Sequence, residues 1–370
     1  MVDLHRQYLR LKPEIDLAMQ EVVDSCSFIN GPQVRSFASH LSEYLSVPHV
    51  IPCGNGTDAL QIALMSLNLM PGDEVIVPAF TYVAAAEVIA LLGLIPVWVD
   101  VEESTFNINP YQIEAAISPK TRAIIVVHLF GQSCDMETIH QIAEQNHLYV
   151  IEDNAQSLGA ECIYSDGKPR KTGTIGHIGT TSFFPSKPLA CYGDGGAIIT
   201  SDDGLAKRIR MIANHGQIKK YHHKIIGCNS RLDTLQAAIL KVKLPHVNEF
   251  AESRQRMAKW YDEALGDDSR WIIPQRATYS THVFHQYTLR INNGKRDKLQ
   301  DYLKEHGIPS MVYYPLPLHR QEAFYGLARN GSVLTHAENL AQAVLSLPIH
   351  SEMTKEEVGY IIETIKAFES

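Results

Sequence analysis

Between residues 49 and 153, short apolar runs alternate with stretches of helical period, and this alternation restricts the fold more than any other feature of the chain. HVIPC (49–53), EVIVP (74–78), IPVWVDV (95–101), AIIVVHLF (123–130) and LYVIED (148–153) read as strands. Residues 56–69, 81–92, 110–117 and 135–147 read as the helices between them. Strands separated by helices of this length predict a parallel sheet with helices on both sides. The runs lack the polar alternation of a half-exposed strand, which suits burial on both faces. GTTSFF (179–184) and GAIITS (196–201) add two strands, and 203–214 a helix. Helices over 7–25 and 33–46 precede the alternation, with Gly31-Pro32 placed to start the second.

Long helices are predicted over 231–243 and 246–265, with Pro245 between them. From about residue 270 the texture changes to a strand (283–291), a helix (295–306) and an extended segment (310–317). A chain of 370 residues exceeds one ordinary core. The expected organisation is a large α/β domain over 1–245, with an N-terminal helical arm and a mainly parallel sheet, followed by a smaller C-terminal α/β domain over 246–370. The net charge of −8 argues against a broad nucleic-acid surface. The six cysteines show neither C-x-x-C nor zinc spacing, which points to free thiols in a reducing cytoplasm. The first residues are charged, unlike a signal peptide. No apolar run reaches the ~18 residues of a membrane span. Nucleic acid, membrane and metal are therefore not expected as partners.

In open α/β sheets ligands gather at the carboxyl ends of the strands. Four polar stretches follow predicted strands: Gly54 to Asp58, Ala79 to Tyr82, Glu152 to Gln156 and Ser182 to Lys187. Gly56-Thr57 opens a helix, whose free amides favour an anion such as a phosphate. Ser182 adds a hydroxyl, and Tyr82 an aromatic face. Asp153 ends an apolar strand, where an unpaired carboxylate is costly and wants a cation. Lys187 sits among aromatic, proline and small residues and offers an amine for a Schiff base. Phosphate, flat ring, ring cation and aldehyde together describe pyridoxal 5′-phosphate. Each signal has a plainer reading: a helix cap, a packing ring, a structural ion pair, a lysine at a loop tip. Their order after successive strands favours the joint one.

CGNGTDAL (53–60), PGDEVIVPAFTYVA (71–84), VIEDNAQSLGA (150–160), TSFFPSKPLACYGDGGA (181–197) and GCNSRLDTLQAAIL (227–240) resemble the DegT/DnrJ sugar aminotransferases. The resemblance spans nearly the whole chain and implies a fold-type-I pyridoxal-phosphate architecture. It implies Lys187 as the Schiff-base lysine and proton shuttle, and Asp153 as the carboxylate on the pyridine nitrogen. It places Gln156 beside the ring oxygen, Tyr82 against the ring, and Gly56, Thr57 and Ser182 on the phosphate. Asn229 is implied as a phosphate ligand from the neighbouring subunit, giving a homodimer with composite sites. Related sugar dehydratases carry histidine in place of the lysine, so Lys187 argues for transamination.

The resemblance further implies a nucleotide-linked keto-sugar as acceptor and glutamate as donor, leaving 2-oxoglutarate. It is strongest to members that aminate the sugar 3-position, including those making UDP-2,3-diamino-glucuronate derivatives for O-antigen. Arg231, two residues after Asn229, is then suited to a sugar carboxylate, or to a helix-start salt bridge. Tyr313, Tyr314 and His319 fall in a segment expected to approach the sugar, with packing as the alternative for the tyrosines. Lys219 to Lys224, with its two adjacent histidines, reads as a loop. The rival functions are a 4-aminotransferase on a dTDP- or UDP-keto-sugar and a non-catalytic regulator on the same fold. No phosphate-loop or dinucleotide fingerprint is present.

Overall fold

The computed structural model describes residues 1–369. Its centre is an eight-stranded sheet. The strands are β1 (His49–Cys53), β2 (Glu74–Pro78), β3 (Ile95–Val99), β4 (Thr121–Val127), β5 (Tyr149–Asp153), β6 (Ile178–Ser182) and β7 (Gly196–Thr200). After β8 (Trp271–Ile272) and β9 (Tyr287–Ile291), which lie elsewhere, β10 (Arg329–Asn330) completes it. The order across the sheet is β1-β7-β6-β5-β4-β2-β3-β10. All run parallel except β7, which pairs antiparallel with both β1 and β6.

The apolar runs have the cause expected of them. In β4, Ala123, Ile125 and Val127 enter one core and Ile124 and Val126 the other. In β2, Val75 and Val77 face the first core and Ile76 the second. Alternate residues of a strand point to opposite faces, so a strand covered on both sides must be apolar throughout. The first core is covered by α3 (Gly56–Ser66), α4 (Ala84–Leu91) and α7 (Asp203–Ala213), the second by α5 (Pro110–Ala116) and α6 (Met136–Gln145). The arm consists of α1 (Leu4–Ser25) and α2 (Pro32–Leu45), and both pack on α8 (Thr234–Lys243).

α9 (Val247–Leu265) joins two bodies rather than opening the second. Val247 and Phe250 pack with the arm and large sheet, whereas Met257, Ala258, Tyr261 and Leu265 belong to a separate core. That core lies under an antiparallel sheet of β8, β9 and β11 (Val344–Leu347), with α10 (Arg296–Glu305) and α12 (Lys355–Ala367). Between α10 and β11 the chain returns to the large sheet. Leu318, Phe324, Leu334 and α11 (Thr335–Ala343) pack into its first core, and β10 pairs with β3. Part of the span 246–370 therefore folds onto the large body. No described helix is long and apolar enough to cross a membrane.

Two expected elements are shorter than their apolar runs. The strand at 123–130 ends at Val127, where Leu129–Gly131 form a 3-10 turn with Phe130 at φ 58°. The strand at 283–291 begins only at Tyr287. Val283 and Gln286 instead donate their N–H groups to the Gly131 and Phe130 carbonyls. That pairing pulls 283–286 off the small sheet and toward the ends of β4 and β5.

Candidate active site

A cavity of about 830 Å³ opens at the carboxyl ends of β2, β4, β5 and β6. Lys187, Asp153, Gly56, Thr57, Tyr82, Gln156, Ser182, Tyr313 and Tyr314 all line it.

The segment 183–195 holds Lys187 between β6 and β7. Phe183 is buried against Phe37, with ring centroids 5.3 Å apart, and donates its N–H to the Gly195 carbonyl at 2.7 Å. Cys191 N–H returns to the Phe183 carbonyl at 2.8 Å. From behind, fully buried Lys243 donates Nζ to the Ala190 carbonyl at 2.9 Å. The loop is thus fixed on both sides, and Lys187 projects into the cavity. Burial lowers its ammonium below the ordinary lysine value, with the Asp153 charge opposing.

Asp153 is 8% exposed at the end of β5. Its Oδ1 accepts the Ala155 N–H at 3.0 Å, and among the described residues no cation forms an ion pair with it. Burial raises its carboxyl, against the Ala155 hydrogen bond and the charge of Lys187. Behind it lies a closed polar cluster. His128 Nδ1 accepts the Cys134 N–H at 3.1 Å, so Nε2 carries the proton given to Glu152 at 2.8 Å. Glu152 also accepts the N–H groups of Gly173, Ile175 and Gly176. That cluster is internally satisfied, whereas Asp153 is not.

Asn55 caps α3 by accepting the Asp58 N–H at 2.8 Å. The Gly56 and Thr57 amides make no hydrogen bond among the described residues and face the cavity beside Ser182. A Cβ at position 56 would lie 2.8 Å from Ser182 Cβ, so any larger residue there forces the helix start and the end of β6 apart. With glycine there, the free amides and the Ser182 hydroxyl are brought together.

Gln156 has a fixed orientation. Its Oε1 accepts the Phe130 N–H at 2.8 Å, which turns Nε2 toward the Tyr314 hydroxyl at 3.2 Å. Burial pushes the Tyr314 phenol up. Tyr82 is 57% exposed, with its ring centroid 6.3 Å from that of Tyr314.

Three expected residues lie elsewhere. His319 is turned away from the cavity. It sits in the 3-10 turn Leu318–Arg320, anchored by buried Leu318, and bonds Glu338 through Nε2 at 3.1 Å. Asn229 is exposed, and Arg231 does not line the protomer's own cavity. The intervening Ser230 is buried, accepting the Gly54 N–H and donating to Asp58. Conversely, Ser186, Phe184, His285 and Gln286 line the cavity without having been singled out in the sequence. The signal for His285-Gln286 is a polar pair inside VFHQYTLRI, hidden by the strand reading of that run.

The chain is 48% identical to a pleiotropic regulatory protein of Geobacillus stearothermophilus, over 100% of this chain and 98% of that one. It is 46% identical to the UDP-2-acetamido-2-deoxy-3-oxo-D-glucuronate aminotransferase of Pseudomonas aeruginosa, over 97% of each. The crystal structure of a DegT DnrJ EryC1 StrS aminotransferase from Brucella abortus superposes with a TM-score of 0.94 at 41% identity, over 99% of this chain and 98% of that one. The model of the DegT/DnrJ/EryC1/StrS aminotransferase family matches residues 10–366, and the chain belongs to that family.

Proposed function

We propose that the chain binds pyridoxal 5′-phosphate in this cavity and transfers an amino group from glutamate to a nucleotide-linked 3-keto-sugar. The favoured acceptor is a UDP-2-acetamido-2-deoxy-3-keto-glucuronate, and the product serves surface polysaccharide synthesis. One observation carries the reading: a lysine amine and a buried carboxylate without a cation face the same cavity, beside the free amides of a helix start. Those groups fit the cofactor's aldehyde, ring nitrogen and phosphate. When bound, the cofactor supplies an electrophilic carbonyl and an electron-accepting ring.

The chain's own residues do the rest. Lys187 would hold the cofactor's aldehyde carbon through Nζ, with the carbonyl oxygen released as water, and would move a proton to and from the substrate carbon. Its lowered ammonium pKa enlarges the neutral, nucleophilic fraction. Asp153 holds the proton on the ring nitrogen, which in turn gives this carboxylate the cation it lacks. Gly56, Thr57 and Ser182 bind the phosphate, with Asn229 of a second copy completing it in a homodimer. Gln156, Tyr314 and Tyr82, which line the same cavity, would hold the ring. Across the two half-reactions, the amine leaves glutamate as 2-oxoglutarate and appears on the sugar carbon in place of the keto oxygen.

The 46% identity to the Pseudomonas 3-oxo-glucuronate aminotransferase supports the acceptor. Arg231 is then suited to the uronate carboxylate from across the dimer. Replacing Arg231 by Ala should weaken a uronate acceptor more than its neutral analogue, and equal losses would remove this role. The deciding assay incubates purified enzyme with glutamate and either UDP-3-keto-uronate or 4-keto-sugars, following 2-oxoglutarate. Turnover of the 4-keto-sugars alone would establish 4-amination instead. The regulatory name of the Geobacillus relative favours a second reading, a non-catalytic regulator. Lys187 and the intact cavity weigh against it, and absence of turnover with every keto-sugar would restore it.

A further inference from the structure

The helix start that offers its amides to a phosphate also carries a residue of the wrong sign. Asp58 stands in the first turn of α3 and lines the cavity with Gly56, Thr57 and Ser182. A carboxylate and a phosphate both favour the positive end of a helix. An unrestrained Asp58 would therefore compete for the amides that the phosphate needs, and would repel it at short range. Among the described residues Asp58 forms no ion pair, and its carboxylate is held by Ser230 alone.

Ser230 is 3% exposed. Its Oγ accepts the Gly54 N–H at 2.8 Å, which leaves the hydroxyl proton for Asp58 Oδ2 at 2.5 Å. The backbone around it is fixed to the end of α7. Ser230 donates its N–H to the Ala213 carbonyl at 3.1 Å, and Cys228 to the Ile212 carbonyl at 2.8 Å. A Cβ on residue 54 would lie 3.0 Å from Asp58 Oδ2 and 3.3 Å from Ser230 Oγ, so glycine there admits both oxygens. Asn55 accepts the Asp58 N–H, and in a capping box the Asp58 carboxylate would reach back to the Asn55 N–H. Here Ser230 takes it instead. The Gly56 and Thr57 amides stay free while the carboxylate beside them is bonded to a residue outside the helix.

We propose that Ser230 is a positioning residue for the phosphate: its hydrogen bond to Asp58 keeps that carboxylate off the Gly56 and Thr57 amides and leaves them to the ligand. The proposal rests on the functional reading above and deepens it. A side chain that itself touches no ligand helps to set cofactor affinity.

The test titrates the full-length protein with pyridoxal 5′-phosphate and with pyridoxal, which has the same ring and aldehyde but no phosphate, following the visible band. Ser230→Ala should weaken pyridoxal 5′-phosphate at least tenfold and change pyridoxal less than twofold. The double variant Ser230→Ala/Asp58→Asn still leaves the Gly54 N–H without its acceptor but removes the charge, and should return to within threefold of wild type. A role confined to bracing the fold predicts instead a double variant no better than the single one. Thermal melts check that both fold. Asp58→Asn alone keeps Ser230 and should bind at least as tightly as wild type. Weaker binding there would overturn the proposal even where Ser230→Ala failed to fold. Wild-type affinity in Ser230→Ala, equal losses for the two compounds, or no recovery in the double variant would overturn it as well. A wild-type protein that develops no band with either compound would sink the functional reading, and calorimetry with inorganic phosphate then decides the positioning role. A tenfold loss in Ser230→Ala supports it, and equal affinity or no wild-type binding overturns it.

Discussion

Substituting Gly56 by Ala tests how the helix start and the end of β6 cooperate. The added Cβ would lie 2.8 Å from Ser182 Cβ, 3.3 Å from its Oγ and 3.4 Å from its Cα. Carbon contacts are comfortable at about 3.5–4.0 Å, so the two segments must separate by roughly an ångström. Overpacking of this kind costs about 1–3 kcal/mol. Backbone preference works the other way, since alanine is better than glycine in a helix by up to about 1 kcal/mol. A net loss in stability therefore has a steric origin. Separation also pulls the Gly56 and Thr57 amides away from Ser182. Hydrogen bonds to a charged group contribute about 1.5–3 kcal/mol each, so cofactor affinity should fall on the order of ten- to a hundredfold. The assay pairs urea unfolding with cofactor titration. In the double variant Gly56→Ala/Ser182→Gly the two shortest contacts disappear. Its stability should exceed the additive sum of the singles by at least about 1 kcal/mol, while affinity stays low. A Gly56→Ala protein as stable as wild type, or strictly additive losses, would refute the argument.

Three further outcomes are expected. Lys187→Ala should abolish turnover, the visible band and borohydride labelling, and retention of full activity would discard the mechanism. Arg329→Met should cost on the order of 3 kcal/mol, read by urea unfolding, because Arg329 bonds both oxygens of buried Glu74, at 3.0 and 2.7 Å. Burial pushes the Glu74 carboxyl up, but Arg329, Ser118 and Thr121 outweigh it and hold it below its ordinary value. That stabilisation is present above the unfolded carboxylate pKa and is lost as pH falls through the lower folded value, and the variant should show a shallower acid limb. Lys243, lowered by burial to about 8, binds its proton less tightly folded than unfolded. Wild-type stability should therefore rise from about pH 8 toward 10.5, by on the order of 3 kcal/mol in total, and Lys243→Met should remove this rise in unfolding curves taken across that range.

The central sheet was legible because strands buried on both faces cannot alternate, so Ile124 and Val126 read as clearly as Ile125. The residues around the cavity from Gly56 to Lys187 were legible because each follows an apolar run. The reversal of β7 left a weaker trace. A parallel crossover needs a dozen or more residues, usually helical, and 183–195 contains two prolines and two glycines. His285 was obscured because an apolar run does not reveal which of its residues find a sheet partner, and the Phe130 and Gly131 carbonyls claim this one. The place of His319 depends on Glu338, nineteen positions away, a distance at which no local pattern speaks. β10 is two residues long, too short to carry a period.

Tyr313 and Tyr314 lie on a length of chain tied down at either end. Met311 exchanges backbone hydrogen bonds with Ser346 in β11, and Leu318 donates its N–H to the Ala79 carbonyl beyond β2. A strap knotted to both bodies cannot swing with one of them alone. Entry of a bulky guest is then expected through rotation of exposed rings such as Tyr82, with the two lobes keeping their mutual pose. Scattering profiles of the protein with and without that guest should accordingly overlay.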